Sequence, residues 1–266
     1  MPIALNLITY GVPFSGSSLS ALSVSYRQRV EDVGGSVSDS AIALIDEFFN
    51  SASATLLQKT KLFYRPMTSS FTGAHIPLIG DNTTIYSYTS GDWSISGGFT
   101  GDGSTQRVDS DEALLAADTD LLNNISLGVW VKQVDISGGN QTLVSQRFGT
   151  NPKINVIPGS QQFFDCYTAI VNTGRATQIP IVSAPSNQLL MGNRRSSTDS
   201  ELILDGSVIA TATNEETTTP NATRWFEWGE NTNTWTGVFI GQGLTTEEAT
   251  ELNNLWKDLE AGAALL

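Results

Sequence analysis

The sequence is poor in the side chains that most often carry out nucleophilic or metal-dependent catalysis. It has one cysteine, Cys166, and one histidine, His75. A single cysteine excludes an intramolecular disulfide, and these two residues cannot supply the nitrogen and sulfur ligands of an ordinary zinc site. No Gly-x-Ser-x-Gly segment is present to position a serine nucleophile. The neighbours Phe163 and Phe164 predict that Cys166 is a buried thiol.

Basic side chains and long apolar runs are also scarce. The 14 lysines and arginines are outnumbered by 27 aspartates and glutamates, which gives a net charge of −13. This balance disfavours binding to nucleic acid or to an anionic membrane surface. No apolar run approaches the roughly 20 residues that a membrane-spanning helix needs, and the first residues lack the basic segment of a signal peptide. We therefore expect no nucleic-acid partner and no membrane insertion.

The first 60 residues favour helices after an extended start. Glycine and proline interrupt residues 1–16, which predicts a tail. Apolar side chains then recur at helical spacing: Leu19, Leu22, Tyr26, Val30 and Val33. Ser38 or Asp39 caps a second helix, and residues 51–60 favour a third. Because helices this short need packing partners, residues 1–60 are predicted to be a tail and helical anchor that binds a partner chain.

The rest of the chain divides into a connection and a β-rich part. Residues 61–94 are rich in Thr, Ser, Gly and Asn and are predicted to be a connecting segment. Residues 95–266 are predicted to be a mainly β domain that folds by itself. Most of the acidity belongs to this part, since residues 1–95 have a net charge of −2 and residues 96–266 one of −11. Such a surface suits outward, solvent-facing display.

Alternating apolar and polar residues identify the strands of the β-rich part. Residues 126–133 alternate cleanly, and Asp205-Gly206 between two apolar runs is a strong hairpin signal. Near the end, Thr245 and Glu248 form the capping box of a closing helix. About nine strands separated by turns predict an antiparallel β-sandwich.

Four short segments resemble one family of folds. Residues 99–104 (FTGDGS) and 127–132 (LGVWVK) resemble the opening strands of the concanavalin A-like, laminin-G-like jelly rolls. Residues 202–206 (LILDG) resemble their strand with an Asp/Asn-Gly turn, and residues 239–248 (FIGQGLTTEE) resemble their closing strand and short helix. The resemblance covers roughly residues 95–262. It implies a mainly β, antiparallel jelly-roll β-sandwich, preceded by the small helical N-terminal region.

The N-terminal part gives a narrower resemblance. Residues 26–37 (YRQRVEDVGGSV), a second helix and residues 61–66 (KLFYRP) are similar to a helical leader of bacteriophage structural proteins, in which a laminin-G-like domain often follows. This resemblance implies a non-enzymatic component of a virion, in its tail, head surface or spike, with other virion proteins as partners. We expect the N-terminal region to attach to the particle or to form a homo-oligomer, while the jelly roll is displayed.

The fold leaves two alternatives open: a carbohydrate-binding module that recognises a host surface glycan, and a degenerate glycosidase. Hydrolases of β-glucans with this fold carry Glu-x-Asp-x-x-Glu on one strand, and no such run is present here. The nearest pairs are Glu201 with Asp205 and Glu227 with Glu230. A turn begins at Asp205, and a regular strand directs groups three residues apart to opposite faces. We therefore predict that the protein is not an enzyme.

Calcium is the one metal that the sequence favours. The resemblance implies a site at a loop rim, and the hard oxygen ligands that calcium prefers are abundant. Asp118 and Asp120 with Asn123 form the best local cluster, and Asp109 with Asp111 form a second. The alternative is that these side chains cap or solvate loops. No other cofactor is expected.

Aromatic residues support the binding hypothesis. Trp225, Phe226, Trp228 and Trp235 lie within eleven residues. On a regular strand Trp225 faces away from Phe226 and Trp228, so one face would belong to the core and the other could stack an indole on a sugar ring. Trp228 and Trp235 are the candidate ligand-binding residues. The alternative is that these aromatics fill the core of the sandwich.

Overall fold

Two antiparallel β-sheets and four helices make up the part of the chain that the structure describes. The computed structural model describes residues 19–103, 105–110, 114, 121, 124–135, 141–146, 150–157, 160–166, 176–178, 186–196, 198–213, 226–229 and 232–266. The helices are α1 Ala21–Asp32, α2 Asp39–Ser51, α3 Ala54–Lys59 and α4 Thr246–Ala263. A 3-10 turn lies at Phe71–Gly73.

The strands pair into an eight-stranded and a seven-stranded sheet. In chain order they are β1 Thr60–Tyr64, β2 Thr84–Tyr86, β3 Trp93–Ser94, β4 Gly98–Thr100, β5 Arg107–Asp109, β6 Ile125–Gln133, β7 Gln141–Gln146, β8 Thr150–Ile157, β9 Gln161–Asp165, β10 Ala176–Gln178, β11 Gln188–Ser196, β12 Asp199–Leu204, β13 Ser207–Ala212, β14 Phe226–Trp228 and β15 Thr234–Gly241. The first sheet has the order β13-β12-β11-β6-β15-β4-β3, and β1 also pairs with β15. The second has the order β10-β9-β8-β7-β14-β5-β2.

The main hydrophobic core fills the space between the two sheets. Strand alternation directs Val129 of β6 into this core from the first sheet, and Val144 and Ile154 enter it from the second. Gly192 of β11 allows the Phe164 ring of the opposite sheet to lie against its backbone, where a Cβ atom would overlap the ring. The mainly β, antiparallel sandwich with a small helical N-terminal region is therefore confirmed.

A second core lies between the helices and the outer face of the first sheet. The ring of Phe63 on β1 stacks on Phe48 of α2 with centroids 4.8 Å apart, and it meets Trp256 of α4 edge-on at 4.8 Å. Trp256 also stacks on Trp130 of β6, with centroids 6.0 Å apart. The helices thus cover an apolar sheet face, which supplies the packing partners that their short length requires.

The structure differs from the expected division into residues 1–60, 61–94 and 95–266. The segment 61–94 is not merely a connection, because β1 and β3 belong to the first sheet and β2 belongs to the second. The described helices of residues 1–60 share their core with β6 and β15. No pattern in the sequence indicates this arrangement, because each pairing joins residues far apart in the chain. The tail at residues 1–16 lies outside the described residues.

Local sequence signals correspond closely to local structure. Thr245 and Glu248 make the predicted capping box, and each side chain accepts a hydrogen bond from the other's backbone N–H. Asp205 and Gly206 have φ values of 53° and 78°, as a two-residue hairpin turn of type I′ requires. The Cys166 thiol is buried, as predicted. Within the described parts of the chain, no helix is long and apolar enough to cross a membrane.

Candidate functional site

The structure places both candidate tryptophans in the core. Trp228 is 1% exposed and Trp235 is 2% exposed. Their ring centroids lie 5.4 Å and 6.0 Å from that of Tyr64, and Trp235 stacks on Phe99 at 4.8 Å. The prediction that one of these indoles is available to a sugar is therefore wrong, because the faces of strands β14 and β15 that carry them point between the sheets. Trp225 lies outside the described residues.

The calcium ligands predicted from the sequence, Asp118, Asp120 and Asn123, lie outside the described residues. Of the second cluster, Asp109 is described and Asp111 is not. Among the residues that the structure describes, no group of three or more His, Cys, Asp and Glu side chains could hold a metal ion. The calcium site stays a prediction.

Two of the carboxylates considered for glycosidase chemistry, Glu201 and Asp205, are each held by other side chains. Glu201 accepts hydrogen bonds from Asn193 Nδ2 at 3.0 Å and from Arg195 Nη2 at 2.7 Å. Asp205 lies in the β12–β13 turn, where Lys257 Nζ approaches its Oδ2 at 3.2 Å. Glu227 is on the second sheet, and its predicted companion at position 230 is outside the described residues. Glu201 and Asp205 thus have structural partners.

The outer faces of the two sheets differ in character. Helices cover that of the first sheet with apolar contacts. On the second sheet Phe226 and Trp228 face the core, so Glu227 between them faces outward. Val108 also faces the core, which turns its neighbours Arg107 and Asp109 outward. The outer face of the second sheet is therefore polar where that of the first is apolar.

A row of directly paired residues crosses this polar face. Asp109 and Asp165 are 1% and 2% exposed, and Glu227 is 6% exposed. Directly opposed side chains on antiparallel strands have Cβ atoms about 4.5–5.5 Å apart. Asp109 is therefore a neighbour of Glu227, and Lys153 is a neighbour of Asp165. We call this row of six residues the polar row. In order across six strands its members are Thr84, Asp109, Glu227, Ser145, Lys153 and Asp165.

A parallel row beside it adds amide, hydroxyl and aromatic groups. Thr142, Asn155, Phe163 and Thr177 are paired in that order across β7 to β10. Asn155 Nδ2 donates to Thr142 Oγ1 at 3.1 Å. The face thus combines carboxylates, a lysine, hydroxyls and an aromatic ring, which is the set of groups that contacts a polyhydroxylated ligand.

Tyr86 marks the accessible end of this face. It is 36% exposed, the one exposed aromatic side chain among the described residues. Tyr86 is paired with Arg107 across β2 and β5, and the Arg107 Cζ atom lies 4.1 Å from the centre of its ring. Arg107 Nε lies 3.2 Å and 3.4 Å from the two carboxylate oxygens of Asp109. The carboxylate holds the guanidinium, and the guanidinium covers one face of the ring by a cation–π contact.

This site was missed in the sequence, although its parts carried a signal. In both 107–109 (RVD) and 226–228 (FEW), polar and apolar residues alternate as in a strand with one solvated face. Asp109 is paired with Glu227, however, and nothing in the sequence joins these two distant positions. Tyr86 lay in the segment interpreted as a connection, so its place on a sheet edge was not considered.

A buried carboxylate elsewhere has a structural explanation. Glu260 of α4 is 5% exposed. Burial alone would raise the pKa of this carboxyl, but Arg65, Thr236 and Lys132 together hold it below its ordinary value. Thr236 Oγ1 donates to Glu260 Oε1 at 2.6 Å, and Lys132 Nζ lies 3.0 Å from Oε2. All these partners are protein groups, so we assign Glu260 to stability.

Comparison with known proteins identifies the fold and no family. No family model matches the sequence, and no curated protein matches it. A solved structure described as the binding domain of botulinum neurotoxin DC in complex with rat synaptotagmin II is similar, with a TM-score of 0.53 and 12% identity over 75% of this chain and 52% of that one. A structure of botulinum neurotoxin type C, the toxin whose cell entry depends on interaction with two ganglioside molecules, has a TM-score of 0.50 and 12% identity over 76% of this chain and 52% of that one.

A third solved structure matches this chain over nearly the whole of its own length. It is domain 4 of AbnA, an extracellular arabinanase of Geobacillus stearothermophilus, in complex with arabinotriose, with 16% identity over 73% of this chain and 98% of that one. Its TM-score of 0.43 is too low to carry an argument. The chain spans about half the length of the two toxin structures it matches. At these identities the likeness shows the fold alone, which is a jelly-roll-like β-sandwich.

Proposed function

We propose that the protein is a non-enzymatic binding module that recognises carbohydrate at the exposed edge of its second sheet, with Tyr86 at the centre of the contact. The observation that carries the proposal is the arrangement of Tyr86, Arg107 and Asp109 at the accessible end of the polar row. An exposed aromatic ring stacks on the apolar face of a sugar, and the half-buried Arg107 beside it can donate hydrogen bonds to sugar oxygens.

The contact between Tyr86 and Arg107 favours binding because it fixes the ring before a ligand arrives. The guanidinium lies 4.1 Å from the ring centre and is itself paired with Asp109. A side chain ordered in advance loses less conformational entropy on binding, which increases affinity. The remaining exposed surface of Tyr86 is then the stacking surface.

The fold supports the same proposal. One similar structure is the binding domain of a botulinum neurotoxin in complex with synaptotagmin II, and another is of a botulinum neurotoxin whose cell entry depends on two ganglioside molecules. A carbohydrate ligand agrees with the polar surroundings of Tyr86, whereas a flat protein interface would favour an apolar centre. Assembly into a bacteriophage particle, with a virion location and virion partners, stays a separate proposal that rests on the sequence resemblance alone.

Binding without turnover fits the described carboxylates best. Asp109 is opposed to Glu227, so this pair is the closest approach to a glycosidase arrangement on the face. Asp109 already accepts from Arg107, which gives it a positioning role for the Tyr86 ring. We therefore propose that the site around Tyr86 binds a sugar and does not cleave it.

The test is to titrate the full chain with a panel of neutral and sialylated oligosaccharides. Binding is measured by calorimetry and by NMR of the tyrosine ring signals. Tryptophan fluorescence is a poor readout because Trp228 and Trp235 are buried. We expect at least one sugar to bind, and Tyr86→Ala to weaken it about tenfold, or about 1.4 kcal/mol. Tyr86→Phe keeps the ring and should bind nearly as well as the unmodified protein.

A matched control is Leu265→Ala, which truncates an exposed side chain at the end of α4. It should leave the affinity unchanged. Failure of every sugar in the panel to bind would overturn the proposal, and so would equal affinities for Tyr86→Ala and the unmodified protein.

A further inference from the structure

The free edge of strand β13 differs from the other sheet edges. The edge strands β2 and β10 have three residues each, and β3 has two. The open side of β1 is covered by Ile79, whose carbonyl oxygen accepts from Phe63 N at 2.9 Å. Strand β13 has six residues and, among the described residues, is paired on one side only, with β12. Proteins usually protect sheet edges by short strands or by covering them, and β13 is the longest strand among the described residues that is paired on one side only.

The composition and burial of β13 suit pairing with another strand. Its sequence is SVIATA, with no charged residue and no proline, in a chain of net charge −13. Ser207, Val208 and Thr211 are exposed, and the other three residues are half-buried. Charged residues and prolines are the usual devices that prevent edge-to-edge association, and β13 has neither.

We propose that β13 pairs antiparallel with β13 of a second copy of this chain, which joins the first sheets of two protomers into one continuous sheet. A two-fold axis places the strand opposite itself, so a charge near the axis would face its own copy. An uncharged strand avoids this repulsion. The acidic surface elsewhere would instead bring negative charges together in a two-fold contact. A second copy is therefore the partner that the charge distribution favours.

The bulge in β13 does not prevent such pairing. The register between β12 and β13 shifts between Leu202 and Ile203. Strand β15 has similar shifts against β6 and is nevertheless paired along its other side with β1 and β4. A bulged strand in this sheet can therefore be paired on both sides.

The pairing would also orient the proposed binding faces. The two-fold axis of an antiparallel strand pair is perpendicular to the joined sheet, so both second sheets lie on the same side of it. Two polar rows would face the same way, and two weak contacts to one surface would add in avidity. This consequence depends on the proposed carbohydrate binding; the dimer itself does not.

The test is sedimentation equilibrium of the full chain over a concentration series, with Val208→Lys/Thr211→Lys as the edge variant. We expect a monomer–dimer equilibrium for the unmodified protein and a rise of about tenfold or more in the dissociation constant of the edge variant, or about 1.4 kcal/mol. Leu22→Lys/Val24→Lys is the control, because it adds the same charge at exposed positions of α1. The control should dimerise normally.

Hydrogen exchange of the unmodified protein gives a second measurement if the edge variant does not fold. The amides of residues 207–212 should exchange more slowly at high protein concentration than at low concentration. A protein that is monomeric at every concentration, or a dimer that the α1 variant disrupts and the edge variant does not, would overturn the proposal.

Discussion

Arg65 and Glu260 are 195 residues apart in the chain and form a buried ion pair, in which Arg65 Nε lies 2.7 Å from Glu260 Oε1. The arginine also donates from Nη1 to the carbonyl of Pro66 at 2.9 Å and from Nη2 to that of Ile95 at 2.8 Å. Its donors are thus shared between the end of β1, the loop after β3 and helix α4. Because charged groups of this kind are costly to bury alone, the pair makes the docking of α4 depend on the segment after β1.

We predict that Glu260→Gln lowers the free energy of unfolding by about 3–5 kcal/mol, because it leaves the buried Arg65 charge without its partner. Urea denaturation followed by circular dichroism measures this change. Asp258→Asn on the exposed side of the same helix is the control and should change stability by less than about 0.5 kcal/mol. Equal stabilities of the two variants would show that Glu260 does not hold α4 in place.

The same carboxylate predicts how stability depends on pH. The pKa of Glu260 is below its ordinary value of 4.5, because Arg65, Thr236 and Lys132 outweigh the opposing effect of burial. Its contribution is therefore complete above about pH 4.5 and is lost as the pH falls through the lowered pKa. We expect the free energy of unfolding to decrease on acidification below that value, and to decrease less steeply in Glu260→Gln.

The dependence of the free energy of unfolding on pH should not disappear entirely in Glu260→Gln. Hydrogen bonds from Ser20, Ser23 and Asn50 hold the pKa of Asp46 below its ordinary value against the effect of burial, so Asp46 contributes in the same direction. Urea denaturation at several pH values compares the slopes. Identical slopes for Glu260→Gln and the unmodified protein would contradict the prediction.

Gly192→Ala should destabilise the sandwich by about 1–3 kcal/mol, because the new methyl group overlaps the Phe164 ring of the opposite sheet. Phe164→Leu in the same chain should recover part of the loss, so the two changes are not additive. Gly128→Ala on β6 is the control, since its Cβ would meet Leu189 and Phe239 at 3.4 Å, an ordinary contact. Thermal unfolding of Gly192→Ala, Phe164→Leu, the double variant and Gly128→Ala decides, and additive effects of the first two changes would contradict the proposed overlap.

Residues 95–266 should not fold as a soluble monomer by themselves. This truncation removes β1 and the helices α1 to α3, which exposes the apolar outer face of the first sheet. It also removes Arg65 and leaves Glu260 without its main partner. We expect this fragment to aggregate or to bind a hydrophobic dye, as size-exclusion chromatography would show. A monomeric fragment with the near-ultraviolet circular dichroism of a packed core would restore the division expected from the sequence.

The sequence was informative wherever structure depends on neighbouring residues. The capping box at Thr245, the turn at Asp205-Gly206 and the strand at residues 126–133 all follow from local geometry and were predicted correctly. The fold class followed from the same signals together with the resemblance to jelly rolls. Each of these features involves groups a few positions apart, so the sequence itself determines them.

The candidate site could not be predicted because it depends on which distant strands become neighbours. Alternation showed that Trp228 faces away from its immediate neighbours, but it could not tell which face of the strand meets the other sheet. For the same reason, alternation could not predict the pairing of Tyr86 with Arg107 or of Asp109 with Glu227. The helices were assigned to a separate anchor because the apolar sheet face that they cover is distributed over the whole chain.

The pairing of β1 with β15 has a consequence for how the protein is synthesised. Phe63 is paired with Phe239, so the first described strand cannot complete its pairing until the last described strand has been made. A ribosome adds about 5–20 residues per second, and the delay is therefore on the order of ten seconds. During this time the apolar faces of α1 to α3 have only an incomplete sheet to cover, and long-range pairing of this kind folds slowly. The helices are made first and are among the last elements to be buried, so the nascent chain is the state most exposed to aggregation.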